Sequence, residues 1–169
     1  MKTFFSSAIT LLALLLVETT ILSNWYILAV VPDLLMITVL YISYINGSMM
    51  GQTTGFVSGL MLDLVSASPL GLHALVRTIM GFIFGRLHQN ITISGIVIPM
   101  IVGFLATILK AILLMVISFF YPFDIRTYAA TGTLFFTECI FNSIMTPIMF
   151  KFLANFSVFR EQKQTGLIK

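Results

Sequence analysis

Long apolar runs separated by short polar breaks dominate the sequence, and they limit the folds that the chain can adopt. Hydrophobic residues make up 59% of the chain, whereas charged residues make up only 9%. A typical soluble domain carries about 25% charged residues, so these runs cannot all be hidden in a soluble core. A run of about 20 mostly apolar residues is long enough to cross a bilayer as a helix. The sequence therefore predicts an all-α, polytopic integral membrane protein embedded in the lipid bilayer.

Six segments meet this criterion, and the polar connections between them are short. The predicted transmembrane helices are residues 4–22, 26–45, 49–65, 69–85, 94–120 and 130–153. Because no long linker divides the chain, we expect residues 1–169 to form a single transmembrane domain. The second segment is the least regular, since Pro32 disfavours helix at Val31. Its helix either begins at Pro32 and is short, or spans the membrane fully with a kink there.

The distribution of Lys and Arg predicts the orientation of these helices. If the N-terminus is cytoplasmic, the outer loops carry only Arg126, which lies close to Asp124. The inner side then carries Lys2, Arg86, Lys151, Arg160, Lys163 and Lys169. Cytoplasmic loops are enriched in basic residues, so we expect both termini in the cytoplasm. The net charge of +3 is small and scattered, which argues against a nucleic-acid partner.

Six charged residues and one histidine lie inside the predicted helices. A charge at the bilayer centre costs roughly 2.5–3.5 kcal/mol on insertion scales, so such residues are rarely accidental. In the orientation above, all of them fall in the outer half of the membrane or at its lower limit. The sequence therefore predicts an intramembrane polar cluster of Glu18, Asp33, Asp63, His73, Arg77, Lys110 and Glu138.

Distances from the predicted turns indicate which of these side chains face each other. Asp63 and His73 are nearly equidistant from the turn between the third and fourth helices. Lys110 and Glu138 lie at similar distances from the last outer loop, which makes them candidates for an ion pair.

Two other carboxylates need a cation. Glu18 and Asp33 flank the first outer turn at similar depth, and Arg77 is the plausible partner for both. Two interpretations of the whole cluster stay open. It forms a polar cavity or partner-binding site facing the outer leaflet, or it consists of buried pairs that fix the helix register.

Glycines recur at every fourth residue in the third predicted helix, and the fourth helix continues the same step. These candidate helix-packing glycines are Gly47, Gly51, Gly55, Gly59, Gly81 and Gly85. Small residues at this spacing let helix backbones approach closely, either within the chain or with a partner protein. The turn between the two helices contains Ser66, Ser68, Pro69 and Gly71. Serine suits the N-cap and proline the first helical position, so we expect the fourth helix to begin at Ser68-Pro69.

No motif for catalysis or metal binding is present in the sequence. There is no phosphate-binding loop, no HExxH and no GxSxG, and His73 has no second His or Cys at ligand spacing. Cys139, the single cysteine, lies in an apolar run typical of a small buried side chain. We therefore predict no catalytic residues, no cofactor and no metal.

One stretch resembles a known family. Pro32-Asp33-Leu34 is followed by the glycine ladder, and then by DLVSASPLGLHAL at residues 63–75. In that order the chain resembles the bacterial rod shape-determining MreD family, nearly throughout its length. One departure is the turn at residues 45–47, which lacks the basic residues expected on the inner side.

The resemblance implies a non-enzymatic, multi-pass protein of the bacterial cytoplasmic (inner) membrane that acts as a scaffold in cell-wall elongation. Its implied partners are MreC by direct contact, with MreB, RodA and the partner transpeptidase of RodA in the same complex. The family is also similar to the six-helix S components of energy-coupling-factor transporters. The alternative function is therefore a solute-binding subunit of a vitamin or small-molecule transporter. Such a subunit needs a polar pocket and a free small-residue face for its energising partner.

Overall fold

The computed structural model describes residues 2–22, 30–66, 68–87, 95–120 and 132–155. Its elements are α1 (Lys2–Val17) with a π-helical end (Glu18–Leu22), α2 (Leu34–Val65), α3 (Leu72–Arg86), α4 (Val97–Phe120) and α5 (Gly132–Ala154). Every regular element in these ranges is helical, which confirms the all-α prediction.

Three helical elements of the described chain are long and apolar enough to cross a membrane: α4, α5, and α2 when its whole length through Gly47 is counted. α1 contributes a shorter apolar helical stretch at Ile9–Thr20. Large apolar side chains on α4 and α5, such as Ile112, Met115, Phe136 and Ile140, are exposed on the surface of the protein. Such a continuous apolar surface is stable in contact with lipid but not in contact with water. The structure is therefore that of an all-helical membrane protein.

α2 is a hairpin of two arms, residues 34–46 and 48–65, joined at Gly47. Gly47 has φ 80° and ψ −178°, a backbone conformation that glycine adopts readily and other residues do not. Leu35 and Val39 of the first arm belong to one apolar cluster with Met61 and Leu62 of the second arm. A straight helix at 1.5 Å per residue would separate residues 35 and 61 by about 39 Å. The chain therefore reverses at Gly47, so that the two arms lie antiparallel.

The first arm of α2 forms the centre of the protein. Every residue from 34 to 43 is buried, on all sides of the helix. Leu11 and Leu15 of α1 pack against it on one side, and Phe150 of α5 meets the Tyr41 ring edge to face at 5.2 Å between centroids. A helix that is apolar all round belongs in the interior. The segment that seemed least regular in the sequence is thus the core helix.

This arm begins two residues after Pro32, where one of the two sequence-based alternatives placed the start of a short helix. Residues 30–33 are not helical, and α2 begins at Leu34, two residues after Pro32. A continuous helix through Pro32 is therefore wrong, while residues 26–29 lie outside the described ranges. Asp33 is the N-cap, and its Oδ1 accepts a hydrogen bond of 2.8 Å from the Met36 main-chain nitrogen. Val30 and Asp33 are buried, so the irregular backbone is shielded from lipid, as a membrane requires.

The second arm of α2 packs against α3 with direct backbone contact. A Cβ added to Gly55 would overlap the main-chain carbonyl of Arg77, and one added to Gly59 would overlap the backbone at Ala74. The same holds between Gly51 and Gly81, and between Gly85 and the backbone at Gly47 and Ser48. The ladder glycines beyond Gly47 thus face another part of the same chain.

Candidate intramembrane polar site

Asp33 is the centre of a buried ion-pair network. One carboxylate oxygen, Oδ1, accepts from Arg77 Nη2 at 2.7 Å, and the other, Oδ2, accepts from Lys110 Nζ at 2.9 Å. The main-chain nitrogen of Asp33 donates to Asn142 Oδ1 at 2.9 Å. Asp33 lies at the start of α2, Arg77 on α3, Lys110 on α4 and Asn142 on α5. One residue therefore ties four helices together.

Lys110 extends the network to α5. Its Nζ donates to Glu138 Oε1 at 2.7 Å as well as to Asp33, so this ion pair, expected from positions relative to the last outer loop, is present. The four side chains alternate in sign, from Arg77 through Asp33 and Lys110 to Glu138, and their formal charges cancel. Buried charges are tolerated only when they are paired and hydrogen-bonded. This arrangement meets that condition for both carboxylates.

Sequence reasoning missed two uncharged members of the site. Asn142 Nδ2 donates to Thr107 Oγ1 at 3.1 Å, and both side chains are buried. Asn142 lies four residues after Glu138, and Thr107 lies three residues before Lys110. Residues at these spacings share one face of a helix. The sequence does offer a signal for Asn142, because this amide lies in an apolar segment on the same helix face as the charged Glu138.

Asp63 acts as a cap on the start of α3. Its carboxylate accepts hydrogen bonds from the main-chain nitrogens of Gly71 at 2.9 Å, His73 at 3.0 Å and Ala74 at 3.1 Å. The first N–H groups of a helix lack partners within the helix, and a negative charge there is favoured by the helix dipole. The expected contact between Asp63 and His73 is thus made to the main chain of His73. Asp63 belongs to a separate capping site rather than to the ion-pair network.

With Asp63 as its cap, α3 begins later in the chain than the sequence predicts. The N-cap is Gly71, with φ 95°, and the helix starts at Leu72, so the predicted start at Ser68-Pro69 is wrong. Pro69 instead closes a turn, in which its carbonyl accepts from the Leu72 nitrogen at 3.2 Å. The hydroxyl of Ser68 is hydrogen-bonded to that of Ser66 at 2.6 Å. A serine cap is not needed, because the carboxylate of Asp63 already accepts hydrogen bonds from the N–H groups at the start of α3.

We expect Asp63→Asn to lower the free energy of unfolding by about 1–3 kcal/mol, because the amide group has one accepting oxygen instead of two and leaves at least one N–H group at the start of α3 without its acceptor. An SDS titration in mixed micelles, followed by circular dichroism, measures this change. Thr137→Val is the control, since the Thr137 hydroxyl is exposed and donates only to the Thr133 carbonyl. An Asp63→Asn protein as stable as the control variant would contradict the capping role.

Glu18 lies beside the network, at the start of the π-helical end of α1. Its Oε2 accepts from the Leu35 main-chain nitrogen at 3.3 Å, in the first turn of α2. Arg77, the cation expected to serve both Glu18 and Asp33, forms its ion pair with Asp33. The predicted seven-residue cluster therefore divides into an ion-pair network, a neighbouring carboxylate and the Asp63 cap.

The geometry of the network suits holding helices in register. Every ion pair of the network joins side chains of two different helices, so the pairs fix the relative positions of these helices. Within the described ranges, no group of three His, Cys, Asp or Glu side chains could hold a metal ion. Cys139 is buried beside Glu138 in the sequence, as expected for a packing residue.

Comparison with known proteins places the chain in a family. Residues 1–156 match the model described as rod shape-determining protein MreD. No curated protein matches the chain, and no solved structure does either. The matched range includes every helix described above, together with the ion-pair network and the Asp63 cap. The chain therefore belongs to the MreD family of rod shape-determining proteins, membrane proteins of the cell-shape machinery.

Proposed function

We propose that this protein is a non-enzymatic scaffold of the bacterial cell-wall elongation machinery that binds MreC directly. MreB, RodA and the partner transpeptidase of RodA are proposed to lie in the same complex. The observation that carries this proposal is the family match over residues 1–156. The ion-pair network is consistent with it, because a scaffold needs helices held in register, and the network links α2, α3, α4 and α5.

The proposed topology has six crossings in a single multi-pass domain of the inner membrane, with both termini in the cytoplasm. Support comes from the reversal at Gly47. Within the described residues, α1, the two arms of α2, α3, α4 and α5 make six helical segments. Antiparallel arms place residue 34 and residue 65 at the same end of the hairpin, as two separate crossings require. The likeness to S components stays a prediction.

The packing of the glycine ladder favours the scaffold over the transporter subunit. A transporter subunit needs an accessible small-residue face on which its energising partner docks. Gly51, Gly55 and Gly59 instead contact the backbone of α3, so this stretch of small residues is covered within the chain. A partner helix must therefore bind a different face of the protein.

Copurification from native membranes tests the proposed function. The tagged wild-type protein, extracted in mild detergent, is expected to recover MreC at levels well above those of an equally expressed, unrelated multi-pass protein. Recovery of an ATPase module without MreC would overturn the scaffold proposal in favour of the transporter subunit. Failure to recover MreC with a protein that elutes as a folded species would also count against direct binding.

A further inference from the structure

The guanidinium of Arg77 contains a buried nitrogen that has no hydrogen-bond partner. Nη2 donates to Asp33, whereas Nη1 is buried and has no hydrogen-bond partner, alone among the buried side-chain nitrogens and oxygens of the described residues. The Arg77 side chain is only 4% exposed. An unsatisfied buried donor costs about 1–3 kcal/mol, and more when the group is charged. A second acceptor at Nη1 would therefore be strongly favoured.

Glu18 is the carboxylate best placed to become that acceptor. Its hydrogen bond from the Leu35 nitrogen, at 3.3 Å, is longer than the usual 2.7–3.2 Å range. Within the described residues, Glu18 has no cation within ion-pair distance, whereas Asp33 and Glu138 each have at least one. Leu35 and Asp33 lie in the same turn of α2. Glu18 and Arg77 thus approach one turn from α1 and α3, with opposite charges.

The backbone of α1 offers a way to move Glu18. The residue opens a π-helical turn, Glu18–Leu22, in which the hydrogen-bond spacing is one residue wider than in an α-helix. Shifting such a turn along a helix moves its side chains without breaking the helix. Leu11 and Leu15 hold α1 on α2 through apolar contacts with Leu35 and Val39, which have no fixed direction. These contacts tolerate a small rotation or slide of α1.

We propose that Glu18 alternates between two partners, the main-chain nitrogen of Leu35 and Nη1 of Arg77, while the π-helical turn absorbs the accompanying shift of α1. In the second state the network gains a third carboxylate, and the first turn of α2 loses one acceptor. The position of α1 is thereby coupled to the ion pairs among α2, α3, α4 and α5. Any molecule that binds one position of α1 better than the other would shift this equilibrium.

Relaxation-dispersion NMR of the protein in lipid nanodiscs tests this exchange, since register shifts of helices fall in the microsecond-to-millisecond range. In the wild type we expect dispersion at the Leu35 amide and at Arg77 Nη1 with one common rate. Arg77→Lys keeps a positive charge opposite Asp33 but removes the second branch of the guanidinium. It should abolish the dispersion at Leu35. Glu18→Met, which removes both carboxylate oxygens and so both of the alternating hydrogen bonds, should abolish it at both positions.

Arg86→Lys is the matched control. Arg86 lies over the Phe82 ring at 4.8 Å, at the far end of α3, so its replacement should leave the Leu35 dispersion unchanged. A flat profile at Leu35 in the wild type would overturn the proposal, and so would dispersion that survives Glu18→Met. Glu18→Met leaves the Arg77–Asp33 pair intact, so it decides the question even if Arg77→Lys fails to fold.

Discussion

Asp33→Ala is expected to lower the free energy of unfolding by about 3–5 kcal/mol, as is usual when one partner of a buried ion pair is removed. The substitution leaves Arg77 and Lys110 facing each other across the site without their shared carboxylate. It also removes the acceptor for the Met36 nitrogen at the start of α2. The fraction of SDS that half-unfolds the protein in mixed micelles, followed by circular dichroism, measures the loss.

Two further variants distinguish the contribution of the Asp33 ion pairs from its contribution as the N-cap of α2. Asp33→Asn retains a side-chain oxygen for the Met36 nitrogen but gives the network a net positive charge. Adding Lys110→Met restores equal numbers of positive and negative groups, so the double variant should be less destabilised than the sum of the two single variants. Additive losses, or an Asp33→Ala protein as stable as the wild type, would contradict the network described here.

Gly55→Leu should destabilise the protein by about 3 kcal/mol, near the upper end of the range for overpacked interiors. The new side chain would collide with the main-chain carbonyl of Arg77, so the second arm of α2 and α3 would have to separate. Backbone cannot move aside as the end of a flexible side chain can. Gly55→Ala should show the same effect in smaller measure. The midpoint of thermal unfolding in detergent, read from the loss of the monomer peak on size exclusion, measures both variants.

Gly132 provides the matched control for this experiment. It lies at the start of α5, and an added Cβ would meet no atom of the described residues within 4 Å. Gly132→Leu should therefore change the stability by less than about 0.5 kcal/mol, as is usual for a surface site. If Gly55→Leu and Gly132→Leu unfolded at the same temperature as the wild type, close packing of α2 against α3 would be wrong.

Local rules predicted much of this fold from the sequence. The positions of polar breaks separate the helical segments, and a break at Gly47 divides the second from the third. The Lys110–Glu138 pair followed from hairpin symmetry, because residues equally far from a loop lie at the same depth in antiparallel helices. The four-residue glycine spacing indicated close backbone packing. Each of these inferences uses only distances along the chain.

Other features depend on contacts that the sequence does not display. The central position of residues 34–43 was not predicted, because a lipid-facing helix and a fully enclosed one are both apolar. The capping role of Asp63 was missed since its partners are main-chain N–H groups, which every residue except proline carries. The role of Asn142 was not predicted, because an uncharged amide costs less to bury than a charge and so marks a site less strongly. In each case tertiary structure decided the role of the residue.

The enclosed first arm of α2 has a consequence for the order of events during synthesis. Asp33 emerges from the ribosome before every partner that holds it, since Arg77, Lys110 and Asn142 follow it by 44, 77 and 109 residues. Its carboxylate therefore gains its first ion pair only after Arg77 has been inserted, and its second only after Lys110. Only the arrival of α5 closes the shell around this arm. Translation pausing or truncation before α5 would thus leave the most polar point of the protein uncovered.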